Sequence, residues 1–241
     1  MTRVVAVVPG RLESTRFPGK MLADDTGTPL IIHCAMNAVR AASVDHVCIA
    51  SDSKAIAAAA TAAGIDHHMT ASHHANGTSR IAEIVPKLNA DIIVNVQGDE
   101  PELPPEVVDE AVAALQRDAS VGVATAASRM DNPSQLADPS IVKVVLDASQ
   151  KAIYFSRAAI PFDRDACGAM HLRHVGLYVY RPEALLDYVQ LPQGALETAE
   201  CLEQLRLVEH GRPIAVALVD APHEGIDTPQ QYAAWVARQS S

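Results

Sequence analysis

The chain has no long hydrophobic run. Nowhere in its 241 residues do eighteen consecutive apolar residues occur, and a membrane-spanning helix needs about that many. The N-terminal apolar run contains only Val4 to Val8 before Pro9, which is too short for the core of a secretory signal peptide. These absences predict a protein that does not span a membrane and that works in the cytoplasm.

Cysteine is scarce, and its spacing fits neither a metal site nor a disulfide framework. The chain has four cysteines, at Cys34, Cys48, Cys167 and Cys201. None of them forms the Cys-x-x-Cys pair of a zinc ribbon. The pairs His67-His68 and His73-His74 also lack the spacing and the cysteine partners of a zinc site. We therefore expect the histidines to face solvent and the cysteines to be reduced.

Positive charge is in short supply. Lys and Arg total 19 against 29 Asp and Glu, which gives a formal net charge of −10. This balance excludes binding to nucleic acid or to an anionic membrane through bulk charge, so a local cluster of cations must hold any anionic ligand. An apolar share of 49% with 20% charged residues is that of an ordinary globular protein and excludes global disorder.

A cluster of cations does occur in the segment from Pro9 to Lys20, where Arg11, Arg16 and Lys20 lie within ten residues. The segment is not a Walker loop, because too many residues separate its glycines, and it is not a GxGxxG dinucleotide loop. A polar, cationic loop that follows the first strand of an α/β sheet is well placed to bind phosphate oxygens. The alternative interpretation is a solvated surface loop.

Hydrophobic patterning in the first half of the chain alternates strands and helices. Val4 to Val8 is a continuous apolar run, which is typical of a strand buried on both faces of a parallel sheet. Further strands are predicted at 47–50 and 91–96, and helices at 29–42, 54–63, 79–88 and 106–116. This βαβ alternation predicts the α/β class with an open, mostly parallel sheet.

The pattern changes after the helix at 106–116. Strand-like segments at 121–127, 141–146, 153–155 and 174–180 are joined by short links, and helices are predicted again at 195–209 and 229–238. We find no linker or internal repeat in the sequence. It therefore predicts a single domain over residues 1–241 with a smaller inserted lobe, roughly within residues 130–210.

Two acidic segments are candidate metal sites. Asp99 lies in Asn95 to Pro101, where a buried strand emerges into a loop, and Asp227 lies in Gly225 to Pro229, just before the last helix. Carboxylates at such positions suit Mg²⁺, which is usually held by one or two carboxylates together with substrate phosphates. The alternative is that each aspartate caps a loop or a helix N-terminus.

The segment His73 to Arg80 is a polar, glycine-containing lead into a helix. A helix N-terminus with an arginine nearby is a ready binding site for an anion or for the polar edge of a base. Several polar residues in the second half of the chain do not by themselves indicate a function, because a position on a strand or on a solvated helix explains each of them. These residues are Arg157, His174, Tyr178, Glu203 and Gln204.

Taken together and in this order, the segments resemble the 3-deoxy-manno-octulosonate cytidylyltransferases, the CMP-Kdo synthetases of lipopolysaccharide synthesis. The resemblance covers nearly the whole chain, and VNVQGDEP, LEQLR and the FSRAAIPFDR part are its most specific motifs. It rests on VVPGRLESTRFPGKML at 7–22, HHANGTSR at 73–80, VNVQGDEP at 94–101, VKVVLD at 142–147, YFSRAAIPFDRD at 154–165, RHVGLYVYR at 173–181, LEQLR at 202–206 and GIDTP at 225–229.

The resemblance implies a Rossmann-like nucleotidyltransferase fold, transfer of CMP from CTP to Kdo with release of pyrophosphate, a Mg²⁺ cofactor and a homodimer. It implies that Asp99 and Asp227 bind the metal and form the catalytic set with Arg16 and Lys20. The residues implied to bind CTP are Arg11, Ser14, Arg16, Lys20, Ser51, Asp52, Gly77, Thr78 and Arg80. Those implied to bind the sugar are Gln97, Arg157, His174, Tyr178, Glu203 and Gln204, and the inserted lobe is implied to serve sugar binding and dimerisation.

Two positions depart from the family pattern: Gly10 stands where alanine is usual, and Ser79 where an acidic residue is common. Two other functions stay open. A cytidylyltransferase for sialic acid or amino-Kdo shares the phosphate machinery, and a non-catalytic nucleotide-sugar sensor shares the fold. LEQLR and the Arg157 segment favour Kdo, whereas the pair of aspartates beside Lys20 favours an enzyme, because binding alone does not require a metal site.

Overall fold

A computed structural model describes residues 2–14, 16–130, 132–220 and 225–239. The chain divides into two units, the first formed by Met1–Asp109 with Pro222–Ser241 and the second by Glu110–Ala221. The segment 130–210, in which the inserted lobe is predicted, falls within the residues of the second unit. Among the described residues, no helix is both long and apolar enough to cross a bilayer.

Four parallel strands form the sheet of the first unit. They are β1 (Val4–Gly10), β2 (His46–Ser51), β3 (Asp66–Met69) and β4 (Ile92–Asn95), in the order β3-β2-β1-β4. Every residue of β1 is buried, and β1 pairs with β2 on one side and with β4 on the other. The predicted central strand and parallel sheet are therefore confirmed, whereas the polar edge strand β3 was not predicted.

Three helices connect these strands, and two of them begin at a side-chain cap. They are α1 (Leu30–Ala38), α2 (Lys54–Ala62) and α3 (Gly77–Leu88). The Ser53 side chain accepts a hydrogen bond from the backbone N–H of Ile56, and the Asn76 side chain accepts one from Ser79. Helix α1 ends before residue 42, where the predicted helix ends. Beyond α1 the backbone amides bond to carbonyls three residues back rather than four, as the Arg40 amide does to the Asn37 carbonyl. Helix α4 (Pro105–Arg117) then leads into the second unit.

The second unit contains mostly antiparallel strands. They are β5 (Val123–Arg129), β6 (Lys143–Leu146), β7 (Ala152–Ser156), β8 (Leu172–Tyr180) and β9 (Ile214–Leu218). Strand β8 is antiparallel to both β5 and β6, β6 is antiparallel to β7, and β9 is parallel to β5. The helices are α5 (Pro133–Leu136), α6 (Pro182–Tyr188), α7 (Ala195–Glu200) and α8 (Leu205–Glu209). The predictions did not include β9, α5 and α6.

The single helix predicted over 195–209 is wrong. Helix α7 ends before Cys201, whose φ of 51° is left-handed, and α8 begins at Leu205. Across the break, the Arg206 guanidinium binds both carboxylate oxygens of the buried Glu197 at 2.7 Å. This ion pair and the burial of Leu202 stabilise the bent path over a continuous helix.

The C-terminal helix α9 (Pro229–Gln239) belongs to the first unit. Its Tyr232 and Trp235 form a buried cluster with Leu30 of α1 and with Ile226, and Phe17 of the cationic segment packs against this cluster. The cluster fixes both α9 and Ile226, which precedes it, and it thereby places Asp227 next to the cationic segment.

Candidate active site

Lys20 is the centre of the candidate active site. Its side chain is buried, and its Nζ donates to Asp99 Oδ2 at 2.6 Å, to the Ile226 carbonyl oxygen at 3.0 Å and to Asp227 Oδ1 at 3.3 Å. The three protons of the ammonium group therefore have three acceptors. The structure thus brings Lys20, Asp99 and Asp227 together from distant parts of the sequence, and the fourth residue predicted to be catalytic, Arg16, joins them through an ion pair with Asp227.

The parallel sheet explains this convergence. Strands β1 and β4 are hydrogen-bonded neighbours, so the segments that follow them emerge at the same edge of the sheet. The backbone N–H of Ile226 donates to the Asp99 carbonyl at 2.8 Å, which fixes the segment before α9 to the segment after β4. At Gly98 a Cβ would lie 3.1 Å from the Pro9 carbonyl oxygen, so glycine allows the close approach of these segments.

Burial dominates the electrostatics of Asp99. It raises the pKa of this carboxyl group, and the positive charge and hydrogen bond of Lys20 offset part of that rise. A desolvated carboxylate beside a second carboxylate is stabilised by a cation that both can bind, and the Lys20 ammonium occupies that position.

The oxygen ligands of Asp99 and Asp227 fit a magnesium ion. Mg²⁺ prefers hard oxygen ligands and is commonly held by one or two carboxylates together with phosphate oxygens of the substrate. Within the described part of the chain, no group of three or more His, Cys, Asp and Glu side chains could hold a metal. A metal here would therefore depend on the two carboxylates and on a bound phosphate.

The other predicted phosphate ligands lie in the loop between β1 and Lys20. Arg16 is exposed, and its Nη2 forms an ion pair with Asp227 Oδ1 at 2.9 Å. Arg11 is also exposed, and the Ser14 Oγ accepts a bond from the Phe17 amide at 3.4 Å. The loop therefore presents guanidinium groups to solvent beside a buried ammonium, which is an arrangement suited to a polyphosphate.

A pocket of about 380 Å³ lies beside this loop in the first unit. It brings together Arg11, Asp52 and Arg80 of the residues predicted to bind CTP. Gly77 and Thr78 form the first turn of α3, and the buried Ser51 is the last residue of β2. The lining residues are Arg11, Leu12, Glu13, Asp52, Ser53, Ser72, His73, His74 and Arg80.

Arg80 forms a fixed part of the pocket wall. It is buried, and its Nη1 contacts Thr70 Oγ1 at 2.5 Å, Asp52 Oδ1 at 3.2 Å and the Ala71 carbonyl at 3.4 Å. These bonds hold the guanidinium and the Asp52 carboxylate in one orientation. A base that enters the pocket therefore meets a rigid polar surface.

One histidine beside the pocket does not face solvent as predicted. His74 is half-buried, and its Nε2 lies 2.5 Å from Glu83 Oε2. The hydrogen bond from His74, together with one from the Ala71 amide, lowers the pKa of Glu83. His73 is exposed and stacks on His74 with ring centroids 5.0 Å apart. Ser53, Ser72 and His74 were not among the predicted site residues.

His174 and Tyr178, predicted to bind the sugar, lie side by side on β8 in the second unit, with ring centroids 5.4 Å apart. His174 Nε2 is 2.9 Å from Thr125 Oγ1, and that hydroxyl donates its proton to the Leu177 carbonyl at 2.6 Å. Nε2 must therefore be the donor to Thr125, which leaves Nδ1 as an acceptor.

Burial keeps both rings uncharged. It lowers the pKa of His174 to about 3 and raises the pKa of Tyr178 well above its usual value. The pair therefore offers a neutral imidazole acceptor and a phenol hydroxyl, groups that bind sugar hydroxyls by hydrogen bonds rather than by charge.

Arg157 has a structural environment that the sequence did not indicate. Its Nε donates to the Glu200 carbonyl at 2.8 Å, Nη1 to the Pro139 carbonyl at 2.9 Å and Nη2 to the Cys201 carbonyl at 3.4 Å. The guanidinium thus caps the C-terminal end of α7. A contact with the sugar stays a prediction for this residue.

The remaining predicted sugar ligands lie outside the helices and strands. Glu203 is exposed and Gln204 is buried, and both lie between α7 and α8 rather than on one long helix. Gln97 follows β4 in the first unit and is half-buried. Their roles in sugar binding also stay predictions.

The comparisons with known proteins agree with one another. The cytidylyltransferase family model matches residues 5–214. The chain is 42% identical to a 3-deoxy-manno-octulosonate cytidylyltransferase of Solibacter usitatus over 229 residues, which covers 95% of this chain and 91% of that one. It is also 42% identical to the enzyme of that name from Escherichia coli, with 95% and 93% covered.

A solved structure is similar over the same extent. It is that of CMP:2-keto-3-deoxy-manno-octonic acid synthetase complexed with CTP, with a TM-score of 0.94, 39% sequence identity and 99% of each chain covered. The predicted nucleotidyltransferase fold is confirmed by this similarity.

Proposed function

The chain belongs to the cytidylyltransferase family, among the 3-deoxy-manno-octulosonate cytidylyltransferases, and we propose that it transfers CMP from CTP to this sugar acid and releases pyrophosphate. The observation that carries the proposal is the Lys20 ammonium held between Asp99 and Asp227 beside the cationic loop. The relative complexed with CTP supports CTP as the nucleotide. The names of the relatives support Kdo as the acceptor and lipopolysaccharide synthesis as the process.

The reaction requires mainly positioning and neutralisation of charge. A hydroxyl oxygen of the sugar attacks the α-phosphorus of CTP, its proton is lost, and the bond to the bridging oxygen of pyrophosphate breaks. Arg11, Ser14, Arg16 and Lys20 would hold the triphosphate. Lys20 would offset the charge that develops on the phosphate oxygens, because its ammonium is desolvated and already fixed in place.

We further propose that Asp99 and Asp227 hold Mg²⁺. The bound ion would supply neutralisation of phosphate charge and polarisation of the attacking hydroxyl. The two carboxylates are suited to this role because both lie within bonding distance of one cationic nitrogen, and because burial of Asp99 favours a cationic partner. With both carboxylates engaged by the ion, Lys20 Nζ would be free to donate to a phosphate oxygen.

The pocket of Arg80 and Asp52 would receive the cytosine. The fixed ion pair of Arg80 and Asp52 gives the pocket a polar wall, whose donors and acceptors would select the polar edge of the base. In the second unit, His174 and Tyr178 would bind sugar hydroxyls, and Arg157, Glu203 and Gln204 would be further sugar ligands. Gln97 in the first unit would be a further sugar ligand.

A homodimer in the cytoplasm is part of the same proposal. We propose that Phe162 of the second unit, which is 85% exposed, lies in the interface with the second copy. All four cysteines are unpaired, which suits a reducing compartment.

The metal assignment is tested with Asp99→Asn and Asp227→Asn. Each variant should lower the rate of pyrophosphate release from CTP and Kdo by about a hundredfold or more, because the metal contributes several kcal/mol of charge stabilisation. Asp66→Asn is the matched control, since Asp66 is an exposed aspartate whose Oδ2 lies 3.2 Å from His46 Nε2. Near-normal turnover of either active-site variant would contradict the metal assignment.

A further inference from the structure

Lys143 is a buried cation that the mechanism does not use. It is the first residue of β6, and its exposed fraction is 0%. Its Nζ donates to the backbone carbonyls of Asp138 at 2.9 Å, Ile141 at 2.7 Å and Arg157 at 2.6 Å. Each proton of the ammonium group thus has a carbonyl acceptor, and the group connects two separate segments of the chain.

Arg157 extends this connection. Its guanidinium donates to Pro139, in the turn that Lys143 also holds, and to the carbonyls of Glu200 and Cys201 at the end of α7. The Glu200 carboxylate in turn accepts bonds from the Arg157 amide at 2.9 Å and from Ser156 Oγ at 2.6 Å. Lys143 and Arg157 therefore cross-link the turn 138–141, the end of β7 and the break between α7 and α8.

The candidate sugar ligands of the second unit are attached to this network. Gln204 lies between α7 and α8, in the segment that begins with Cys201, and Arg157 binds the carbonyl of Cys201. The His174 amide donates to the Val142 carbonyl at 2.8 Å, and Lys143 itself pairs with Arg173 across β6 and β8. A shift of residues 138–143 would therefore move Arg157 and His174 together.

An apolar side chain of the same length could fill this space but could not replace the ammonium. Without its three N–H donors, three half-buried carbonyl oxygens would lose the ammonium group, and the Asp138 carbonyl would keep only the Ile141 amide. The segments that these carbonyls belong to would then no longer be joined. Burial lowers the pKa of Lys143, which is the cost of keeping a cation there.

We propose that Lys143 is a positioning residue for the acceptor sugar: by binding the carbonyls of Asp138, Ile141 and Arg157, it holds Arg157 and His174 in the arrangement that receives the sugar. The inference rests on the proposed function for the identity of that sugar as Kdo. It assigns a role in the reaction to the lysine of the VKVVLD segment.

The first test measures the cross-link without any reaction. Amide hydrogen exchange is compared between the wild-type chain and Lys143→Met, which keeps the length of the side chain but removes the donors. Peptides covering 138–142, 157–160 and 200–206 should exchange at least about tenfold faster. The first two lose their bonds to Lys143, and the third is held by Arg157, which is then no longer fixed. Peptides from α3 should be unchanged. Lys151→Met is the matched control. Lys151 Nζ lies 2.8 Å from Asp118 Oδ2 and does not bind any of these carbonyls.

The second test separates positioning from general stability. In the pyrophosphate-release assay, Lys143→Met should raise KM for Kdo by about tenfold or more and change KM for CTP by less than about twofold. Lys143→Gln, whose amide retains two N–H donors, should give a KM for Kdo between those of the wild-type chain and Lys143→Met. If Lys143→Met does not fold, Lys143→Gln replaces it in this assay. In Lys143→Ala, propylammonium should restore a low KM for Kdo, whereas tetramethylammonium, which has no N–H, should not.

The outcomes separate this inference from the proposed function. Unchanged exchange in the three peptides overturns the cross-link. An equal rise of KM for Kdo and CTP, or no rise for Kdo, overturns the positioning role. A wild-type chain that does not use Kdo overturns the proposed function and the assignment of the sugar, and the exchange experiment still decides whether Lys143 holds Arg157 in place.

Discussion

Acidification should destabilise the protein in part through His174. Burial lowers the pKa of this imidazole to about 3 in the folded chain, whereas an exposed histidine titrates near 6.5. Between these two values the unfolded chain binds a proton that the folded chain does not bind. The free energy of unfolding must therefore fall as the pH drops from about 6.5 towards 3.

The size of the effect follows from the same two values. One proton of difference between the states changes the free energy of unfolding by about 1.4 kcal/mol per pH unit. Because the difference develops only below about pH 6.5, the change from pH 7 to pH 5 amounts to about 2 kcal/mol. His174→Gln should remove this contribution, since glutamine does not titrate and its amide can still donate to Thr125.

Urea unfolding at pH 7 and pH 5 measures the effect. The loss of stability between the two pH values should be about 2 kcal/mol larger for the wild-type chain than for His174→Gln. His67→Gln, which changes an exposed histidine on β3, is the matched control and should show the wild-type loss. Equal losses in the wild-type chain and in His174→Gln would refute the account of a buried, neutral imidazole.

Three further predictions follow from the ion pairs and cations of the two units. Lys20→Ala should lower turnover by about a hundredfold while KM for CTP changes less, because the Lys20 ammonium acts on charge that develops in the transition state. If steady-state kinetics show a higher KM for CTP and an unchanged turnover, this role is contradicted. Glu197→Gln should destabilise the chain by about 3–5 kcal/mol in urea unfolding, because it leaves the Arg206 charge without its buried partner; a loss below about 1 kcal/mol would count against that pair. Arg157→Ala should raise KM for Kdo roughly tenfold to a hundredfold more than KM for CTP, whereas an equal effect on both would indicate a purely structural guanidinium.

The sequence was most informative where local pattern and sheet topology agree. A continuous apolar strand such as β1 fits only between two neighbours, so its central place could be predicted. Asp99 and the loop that ends at Lys20 each follow a strand of the same parallel sheet, so their meeting at one edge could be expected. The hydrogen bonds of Lys20 to both aspartates could not be predicted, because they depend on side-chain conformation and on the position of α9.

Tertiary contacts decided the features that pattern reasoning missed. The helical periodicity of 195–209 continues through Cys201, yet the Glu197 to Arg206 ion pair forms across a left-handed residue and breaks the helix. A lysine within an apolar run such as VKVVLD is expected on a solvent face, and nothing local indicates the three carbonyls that hold Lys143.

The measurement that tests the central claim most directly is pyrophosphate release with CTP, UTP, ATP and GTP, each combined with Kdo and with sialic acid, in the presence of Mg²⁺. The value of kcat/KM should be highest for CTP with Kdo, and UTP should be the best of the other nucleotides, because it differs from CTP only at a hydrogen-bonding edge of the base. A higher kcat/KM for ATP or GTP than for UTP would contradict the assignment of a pyrimidine to the pocket of Arg80 and Asp52. Absence of pyrophosphate release with CTP and Kdo would contradict the proposed function.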